Sequence, residues 1–473
     1  MMQLIDKLNN FLWSYLLTYF LILIGLYLTV GTRFVQIKNF FHMFTILKGS
    51  NRSNKFGISS FQALCTTLAS RVGTGNLTGV AIALNLGGIG SIFWMWIAAM
   101  IGMATSFSES TLAQVYKIID KKGHYYGGPA YYIEKGLNMR WMGVLFSILL
   151  IISFGLVFNS VQSNSIVKAV SLAFNINSLH IGTWISITCG IIIFGGSRSV
   201  SRISEFIVPF MAMSYLSLSC WAISQNVGQI FEVLFLIIKN AFGTKEACSG
   251  MVGYSISQVM TQGIKRGLFS NEAGMGSTPN AAASASPYPP HPVSQGYIQM
   301  LGVFVDTMII CSTTAFLIIF SGVLNDTNRC LNGIELTQLA ISYFFGDFGK
   351  VFIAVSTFFF SFTSIISNYC YAESNMIFLK RNNAHSLFIL KIGTLIMIIF
   401  GTYAETPLVW KLADISMGCM AIINLTAIFM LSKLIFVLTK DYNSQRREGK
   451  IPVFDAKKYP KIRIKNDVWK NIK

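Results

Sequence analysis

Residues 267–280 read Gly-Leu-Phe-Ser-Asn-Glu-Ala-Gly-Met-Gly-Ser-Thr-Pro-Asn, between a long stretch of membrane-helix character and a small apolar Ala/Ser run. A continuous spanning helix has no use for three glycines, a carboxylate and two asparagines near its middle. Backbone at membrane depth leaves the helix only where it is buried in protein or lines a wet cavity. This stretch therefore predicts a helix that breaks at mid-membrane to make a binding site. A second stretch of the same character, Ala69-Ser70-Arg71-Val72-Gly73-Thr74-Gly75-Asn76-Leu77-Thr78-Gly79, precedes it, with Gly73 198 residues before Asn271. Two Gly-interrupted apolar segments at corresponding positions of two halves point to the site of a secondary transporter.

The rest of the chain suits that reading. Apolar residues make up 53% and charged residues 12% of the 473, where soluble domains carry about 25% charged residues. There is room for about eleven spans of ~20 residues. The first apolar run, about 11–30, is too long for a signal peptide and lacks a small-residue exit, so it reads as span one. Six of the eight cysteines sit in apolar runs without CxxC spacing, which argues against a metal or disulfide framework; Cys248 and Cys330, in loops, are the one pair open to bonding.

Taken in order, the spans fall at about 11–30, 59–84, 91–117, 142–168, 181–196, 203–222, 252–285, 296–322, 350–378, 385–402 and 408–436. Lys and Arg gather in every second connection, from Arg33–Lys55 to the tail after Lys440, and predict an outer N-terminus and a cytoplasmic C-terminus. The net charge of +18 then belongs to inner loops and to a tail near anionic lipid, not to nucleic-acid binding. The stretch 323–346 reads as an external loop, and 229–242 as an interfacial helix. Five spans separate the starts of spans two and seven, which is the arithmetic of an all-α, five-plus-five inverted repeat behind one extra helix. The units are then 1–58, a first repeat 59–222, an external segment 223–250, a second repeat 251–436 and a basic tail 437–473.

Helix breaks expose backbone. A half-helix N-terminus offers N–H donors and partial positive charge to a carboxylate, and a C-terminus offers carbonyls to a cation. Gly73, Gly75, Gly274 and Gly276 permit the dihedrals and a close ligand, while Thr74, Asn76, Ser270 and Asn271 add polar side chains at that depth. The expected ligand is a small zwitterion travelling with a cation. Glycines also serve close helix packing, but two repeat-related breaks with Asn and Glu beside them favour a site. Glu272, an intramembrane carboxylate, is a candidate to bind Na⁺, carry a proton or cap the unwound backbone, with capping slightly favoured. Arg71 needs a charge partner, with Glu272 or Glu109 the natural choice. Asp306 and Asp414 read first as internally satisfied groups. Gln162 belongs to a polar cluster that reaches the cavity or glues helices together.

Several segments resemble the alanine/glycine:cation symporters, also called the sodium:alanine symporter family. They are Ser60-Phe61-Gln62-Ala63-Leu64-Cys65-Thr66, Val72 to Asn76, Phe93-Trp94-Met95-Trp96, Gly102-Met103-Ala104-Thr105, Gly127-Gly128-Pro129-Ala130-Tyr131-Tyr132-Ile133, Gly267 to Pro279, His291-Pro292, and Gln299 to Thr307. The motifs run from about 57 to 430, and the Ser270–Gly276 run is highly specific. The resemblance implies a fold similar to neurotransmitter:sodium symporters and Na⁺-coupled uptake of a small neutral amino acid, alanine or glycine. Carried over by position, the substrate cavity would use Thr74, Gly75, Asn76, Gln162, Phe269, Ser270, Asn271 and Met275. The Na⁺ site would use backbone of Ala69 and Val72 with Thr363 and Ser364. This chain departs from the family pattern at Ser367-Asn368, where many members have Gly-Trp, and at Arg71, where a small residue is common. Asn368 leaves room for a larger or more polar side chain, which makes glutamine an alternative substrate. Proton coupling through Glu272 is a rival within transport, and a passive channel is a rival of another class. An enzyme is the weakest reading, since neither His-rich metal spacing nor paired catalytic carboxylates stand out. A monomer suffices for such transport; the oligomeric state is open.

Overall fold

A computed structural model describes residues 2–120, 123–242, 252–325, 333–381, 383–459 and 468–469. In hydrocarbon every backbone polar group must be satisfied internally, so apolar runs of this length become helices. Among the described residues, eight helices are long and apolar enough to cross a membrane: Ile5–Gly31, Ser91–Val115, Arg140–Phe174, Val200–Ser224, Pro292–Phe320, Asp347–Phe378, Ala384–Tyr403 and Thr406–Met430. Ser178–Phe194 is a shorter apolar helix. Two more crossings are interrupted, one running Ser60–Arg71 and then Val80–Gly87, the other Val252–Asn271 and then Pro279–Ala283. Together they make the eleven expected spans among the described residues.

The helices pair across the two halves. The second half of span two packs on span seven, three on eight, four on nine and five on ten. Four of the five spans of each repeat thus meet their counterparts, and the two interrupted spans meet each other. The chain is an all-α polytopic membrane protein with a five-plus-five inverted-repeat core.

Three boundaries differ from the sequence reading. Span eleven stops at Met430, and Ser432–Arg447 is a separate helix with a polar, basic last turn. The stretch read as an external loop, 323–346, carries a helix, Ile334–Phe345. Thr337 Oγ1 of that helix donates to the Leu77 carbonyl (3.0 Å), so it lies against the first interrupted span. The connection after span three forms a short hairpin pairing Ile118–Ile119 with Tyr125–Tyr126. Ile230–Ala241 is helical, as expected for 229–242. Cys248 and Cys330 lie outside the described residues.

Asp414 of span eleven is an ion-pair centre. Its Oδ2 takes Lys265 Nζ (2.6 Å) and Arg266 Nη2 (2.8 Å) from span seven. Span one joins the cluster through Asn9, which accepts from Lys265 (3.1 Å), and Trp13, whose Nε1 donates to the Asp414 carbonyl (3.2 Å). Phe454 packs beside the link between spans seven and eight, its N–H on the Pro290 carbonyl (3.0 Å).

Candidate substrate and cation site

Span two begins from a reciprocal cap. Ser59 Oγ accepts from the Gln62 N–H (3.0 Å), and Gln62 Oε1 accepts from the Ser59 N–H (3.1 Å). The helix lasts until the Val72 N–H reaches the Leu68 carbonyl (2.7 Å), after which Val72 leaves helical geometry at ψ 85°. Freed backbone donors at this depth must find other acceptors. Asn76 Oδ1 takes the Gly73 N–H (3.0 Å), and Gln162 Oε1 takes the Thr74 N–H (3.1 Å). Gln162 thus reaches the first break instead of only joining helices. The Thr74 hydroxyl is buried without a hydrogen-bond partner among the described residues.

The second break starts after Asn271. Glu272 has φ +56°, and Gly274 and Gly276 have φ +85° and +82°. Left-handed backbone suits glycine and strains a glutamate. The strained residue is clamped on both carboxylate oxygens: Ser70 Oγ donates to one and Ser277 Oγ to the other, both at 2.5 Å. Ser70 belongs to the first broken span, so this carboxylate ties the two breaks together. Asn271 holds the same turn from inside, its Oδ1 on the Ala273 N–H (3.0 Å) and its Nδ2 on Thr307 Oγ1 (3.2 Å). Glu109 of span three accepts from the Gly274 N–H (3.3 Å) and Asn424 Nδ2 (2.8 Å).

Gly75 and Ser270 are the point of closest approach. A Cβ on Gly75 would stand 2.8 Å from the Ser270 Cα, so only glycine lets the two backbones touch. Phe269 lies between two rings, Phe158 of span four (centroids 4.7 Å) and Trp410 of span eleven (4.4 Å). Beside the contact, Asp306 of span eight gathers groups from both breaks. Asn76 Nδ2 donates to Oδ1 (2.7 Å), and Ser270 Oγ and Thr307 Oγ1 both donate to Oδ2 (2.8 Å). Cys311 Sγ is 3.1 Å from Ser270 Oγ.

On the other flank, Ser364 Oγ reaches the carbonyls of Ala69 (2.9 Å) and Ser70 (3.1 Å), and Thr363 Oγ1 reaches Ala69 (3.4 Å). Three members of the expected cation set therefore meet. Val72, the fourth, is buried at the end of the same half-helix. Met275 is buried in the second break with its N–H on the Glu272 carbonyl (3.2 Å), and its described contacts do not join it to the first break. Asn368 Oδ1 stands 2.9 Å from Ser70 Oγ, and its Nδ2 donates to Asn159 Oδ1 (3.1 Å).

The expected partner of Arg71 needs correction. Arg71 is 1% exposed, yet neither Glu272 nor Glu109 pairs with it. Its Nη1 donates to the Gln299 carbonyl, and its Nη2 to Ser106 Oγ and Thr278 Oγ1, all at 3.1 Å. Neutral dipoles, not a salt bridge, hold this cation. Asp306 is internally satisfied, as expected, but by groups from both breaks, and sequence reasoning missed Phe158, Trp410 and Cys311. The run Val305-Asp306-Thr307, a carboxylate and hydroxyl side by side in an apolar span, was the available signal.

Two interrupted helices of opposite sense, meeting through glycine, carboxylate and hydroxyl groups inside an inverted-repeat helical bundle, define a secondary active transporter. Residues 1–456 match the sodium:alanine symporter family, and the chain belongs to that family. It is therefore a cation-coupled amino-acid symporter and not an enzyme. The relative named Probable sodium/glutamine symporter GlnT, of Bacillus subtilis, is 48% identical over 94% of this chain and 91% of its own. The Amino-acid carrier protein AlsT of the same organism is 44% identical over 100% of this chain and 98% of its own. Among solved structures, a manganese transporter of Eremococcus coleocola is similar in fold, with a TM-score of 0.50 and 11% identity over 80% of this chain and 77% of that one.

Proposed function

We propose that this chain takes up a small neutral amino acid, alanine or glycine, with Na⁺ and by alternating access. One observation carries the reading: the hydroxyls of Ser364 and Thr363 converge on carbonyls at the end of the first half-helix, directly beside the place where the two breaks meet. Oxygen ligands without a carboxylate suit a hard, weakly charged ion. Na⁺ bound there by Ala69, Val72, Thr363 and Ser364 orders the first break. The amino acid then docks against Thr74, Gly75, Asn76, Gln162, Ser270 and Asn271, with Phe269 as a wall, and the repeats rock around it. We assign the protein to the bacterial inner membrane, with the N-terminus outside and the basic tail inside, and to one functional unit per chain. In this reading residues 59–222 and 251–436 are the moving repeats.

Glutamine is the second reading. Asn368 is a polar side chain beside Ser70 where an indole would fill the space, and a relative carries a sodium/glutamine name. Uptake of labelled alanine, glycine and glutamine into proteoliposomes, with and without an inward Na⁺ gradient, tests both. Saturable Na⁺-driven uptake supports symport and ranks the substrates. Uptake driven by an acid-outside gradient in Na⁺-free buffer moves coupling to a proton on Glu272, and uptake without saturation marks a channel.

A further inference from the structure

Span one ends in a turn built from unsuited residues. The Arg33 N–H donates to the Val30 carbonyl (2.9 Å) and the Phe34 N–H to the Thr29 carbonyl (2.7 Å), the pattern that closes a helix through a left-handed residue. Glycine is the usual occupant. Here Arg33 and Phe34 are both left-handed, at φ +59° and +58°, and two such residues in succession carry strain that glycine would relieve. The turn places Arg33 in the wall of a cavity of about 780 Å³. Lys38 and Asn39 continue that wall, and the helix Ser432–Arg447 forms the opposite one.

Five cations line the cavity, Arg33, Lys38, Lys440, Arg446 and Arg447, and among the described residues no carboxylate does. The acids of the same helix face elsewhere. Asp441 stands 3.5 Å from His291 and accepts from Gln445 Nε2 (3.0 Å), and Glu448 takes Lys450 Nζ (2.7 Å). Arg446 donates to the neutral Asn39 Oδ1 (3.0 Å). Gathered like charges repel, and a recess walled by one sign of charge concentrates the opposite ion. The surface beside the cavity is apolar. Val30, Phe34, Ile37 and Val437, next in sequence to lining residues or within a turn of them, are between 44% and 62% exposed.

We propose that this cavity binds the phosphodiester head group of an anionic phospholipid, with the acyl chains lying over the exposed apolar residues beside it. Guanidinium forks and lysine ammonium groups are the donors that phosphate oxygens take, and basic pockets between membrane helices suit such head groups. A free phosphate ion shares this chemistry but makes no use of the apolar rim, which favours the lipid. The helix Ser432–Arg447 carries the effect inward. Its Tyr442 hydroxyl meets His42 Nε2 (3.0 Å), and Asn443 Oδ1 accepts from the Tyr297 hydroxyl of span eight (3.4 Å). A head group bridging the two walls therefore ties the end of span one to the helix that touches span eight.

The test is thermal unfolding of the detergent-purified full-length protein, titrated in separate arms with phosphatidylglycerol, phosphatidylcholine and inorganic phosphate. Phosphatidylglycerol is expected to raise the melting temperature saturably, as a ligand of the native state does, and the other two are not. The triple variant Arg33→Gln, Lys440→Gln, Arg447→Gln is expected to bind phosphatidylglycerol about a hundredfold more weakly, at about fivefold for each charge removed. A second triple variant, Lys55→Gln, Lys380→Gln, Lys457→Gln, removes the same charge outside the cavity and is expected to bind like the wild type. All six side chains are exposed. If the first triple variant does not fold, Lys440→Gln and Arg447→Gln carry the test singly, each about fivefold weaker, and unchanged affinity in both overturns the proposal. Equal weakening in the two triple variants also overturns it, since the charge then acts as a diffuse surface potential. An equal shift with phosphatidylcholine overturns the selectivity for an anion, and an equal shift with inorganic phosphate overturns the lipid in favour of a free-ion site.

Discussion

Ser70 and Glu272 lie 202 residues apart in the chain and 2.5 Å apart in space, hydroxyl to carboxylate. Their contact joins the two interrupted helices, and the behaviour of the site follows from how closely those helices meet.

Gly75→Ala is expected to abolish uptake and lower stability by about 1–3 kcal/mol, the usual cost of forcing a methyl group into packed backbone. The obstructing atom is the Ser270 Cα, which cannot rotate away. Gly79→Ala is the control, because its nearest neighbour would be 3.5 Å away. Uptake and thermal unfolding of the two variants should diverge; equal tolerance would refute the close contact.

Removing the Glu272 carboxylate leaves the Ser277 hydroxyl without its acceptor, while Ser70 falls back on Asn368 Oδ1. Such a loss costs roughly 1–3 kcal/mol for each unsatisfied group. Glu272→Gln should fold and still require Na⁺, with a lowered maximal rate. Glu272→Ala should be less stable than Glu272→Gln. Both are measured by melting temperature and by initial uptake rates across a Na⁺ series, and Na⁺-independent uptake by Glu272→Gln would point to a coupling role instead of a brace.

Between the two hydroxyls beside Ala69, Ser364 is the nearer, at 2.9 Å against 3.4 Å for Thr363. Ser364→Ala should therefore raise the Na⁺ concentration for half-maximal uptake more than Thr363→Val does. The reverse order would move the ion off Ser364.

Asn368→Trp should narrow the substrate range. An indole at this position displaces the amide that faces Ser70 and Asn159 and takes volume from the larger cargo first. The expected result is retained glycine and alanine uptake with glutamine uptake reduced about tenfold or more, a discrimination within reach of a few lost methylene-sized contacts. Competition assays with unlabelled amino acids read it directly.

Asp414→Asn should be strongly destabilising, because Lys265 and Arg266 would keep their burial and lose their shared anion. Breaking one partner of a buried ion pair costs about 3–5 kcal/mol. Asp414→Asn with Lys265→Met should recover part of the melting temperature, since one of the two orphaned cations is then gone.

The spans and both breaks were legible because they are local. A run of apolar residues or a glycine next to an asparagine states its preference without reference to the rest of the chain. The alternation of basic loops fixed the number of crossings in the same way. The helix Ile334–Phe345 was hidden because it is short and follows charged residues, and its burial depends on spans nine, eight and four and on the folded first break, which only the fold brings together. The surroundings of Arg71 were illegible for a related reason. Opposite charge suggested Glu272 or Glu109, but the guanidinium meets Gln299, Ser106 and Thr278 on three different elements. Asp306 reads as a satisfied carboxylate, but only the fold shows Asn76 and Ser270, from two separate helices, on its two oxygens.

The left-handed backbone at Glu272 sets two demands against each other. At φ +56° the main chain would be relaxed by glycine, and asparagine would tolerate the position. Neither can reach Ser70 and Ser277 at once as the longer carboxylate does. Substitution here therefore trades a relaxed main chain against the joint, and a replacement that relaxes the backbone is also the one that disconnects the repeats. Glu272→Gly should therefore melt above Glu272→Ala, because it relaxes the main chain, and below the parent protein, because it leaves Ser277 without its acceptor; neither should support growth on the transported amino acid.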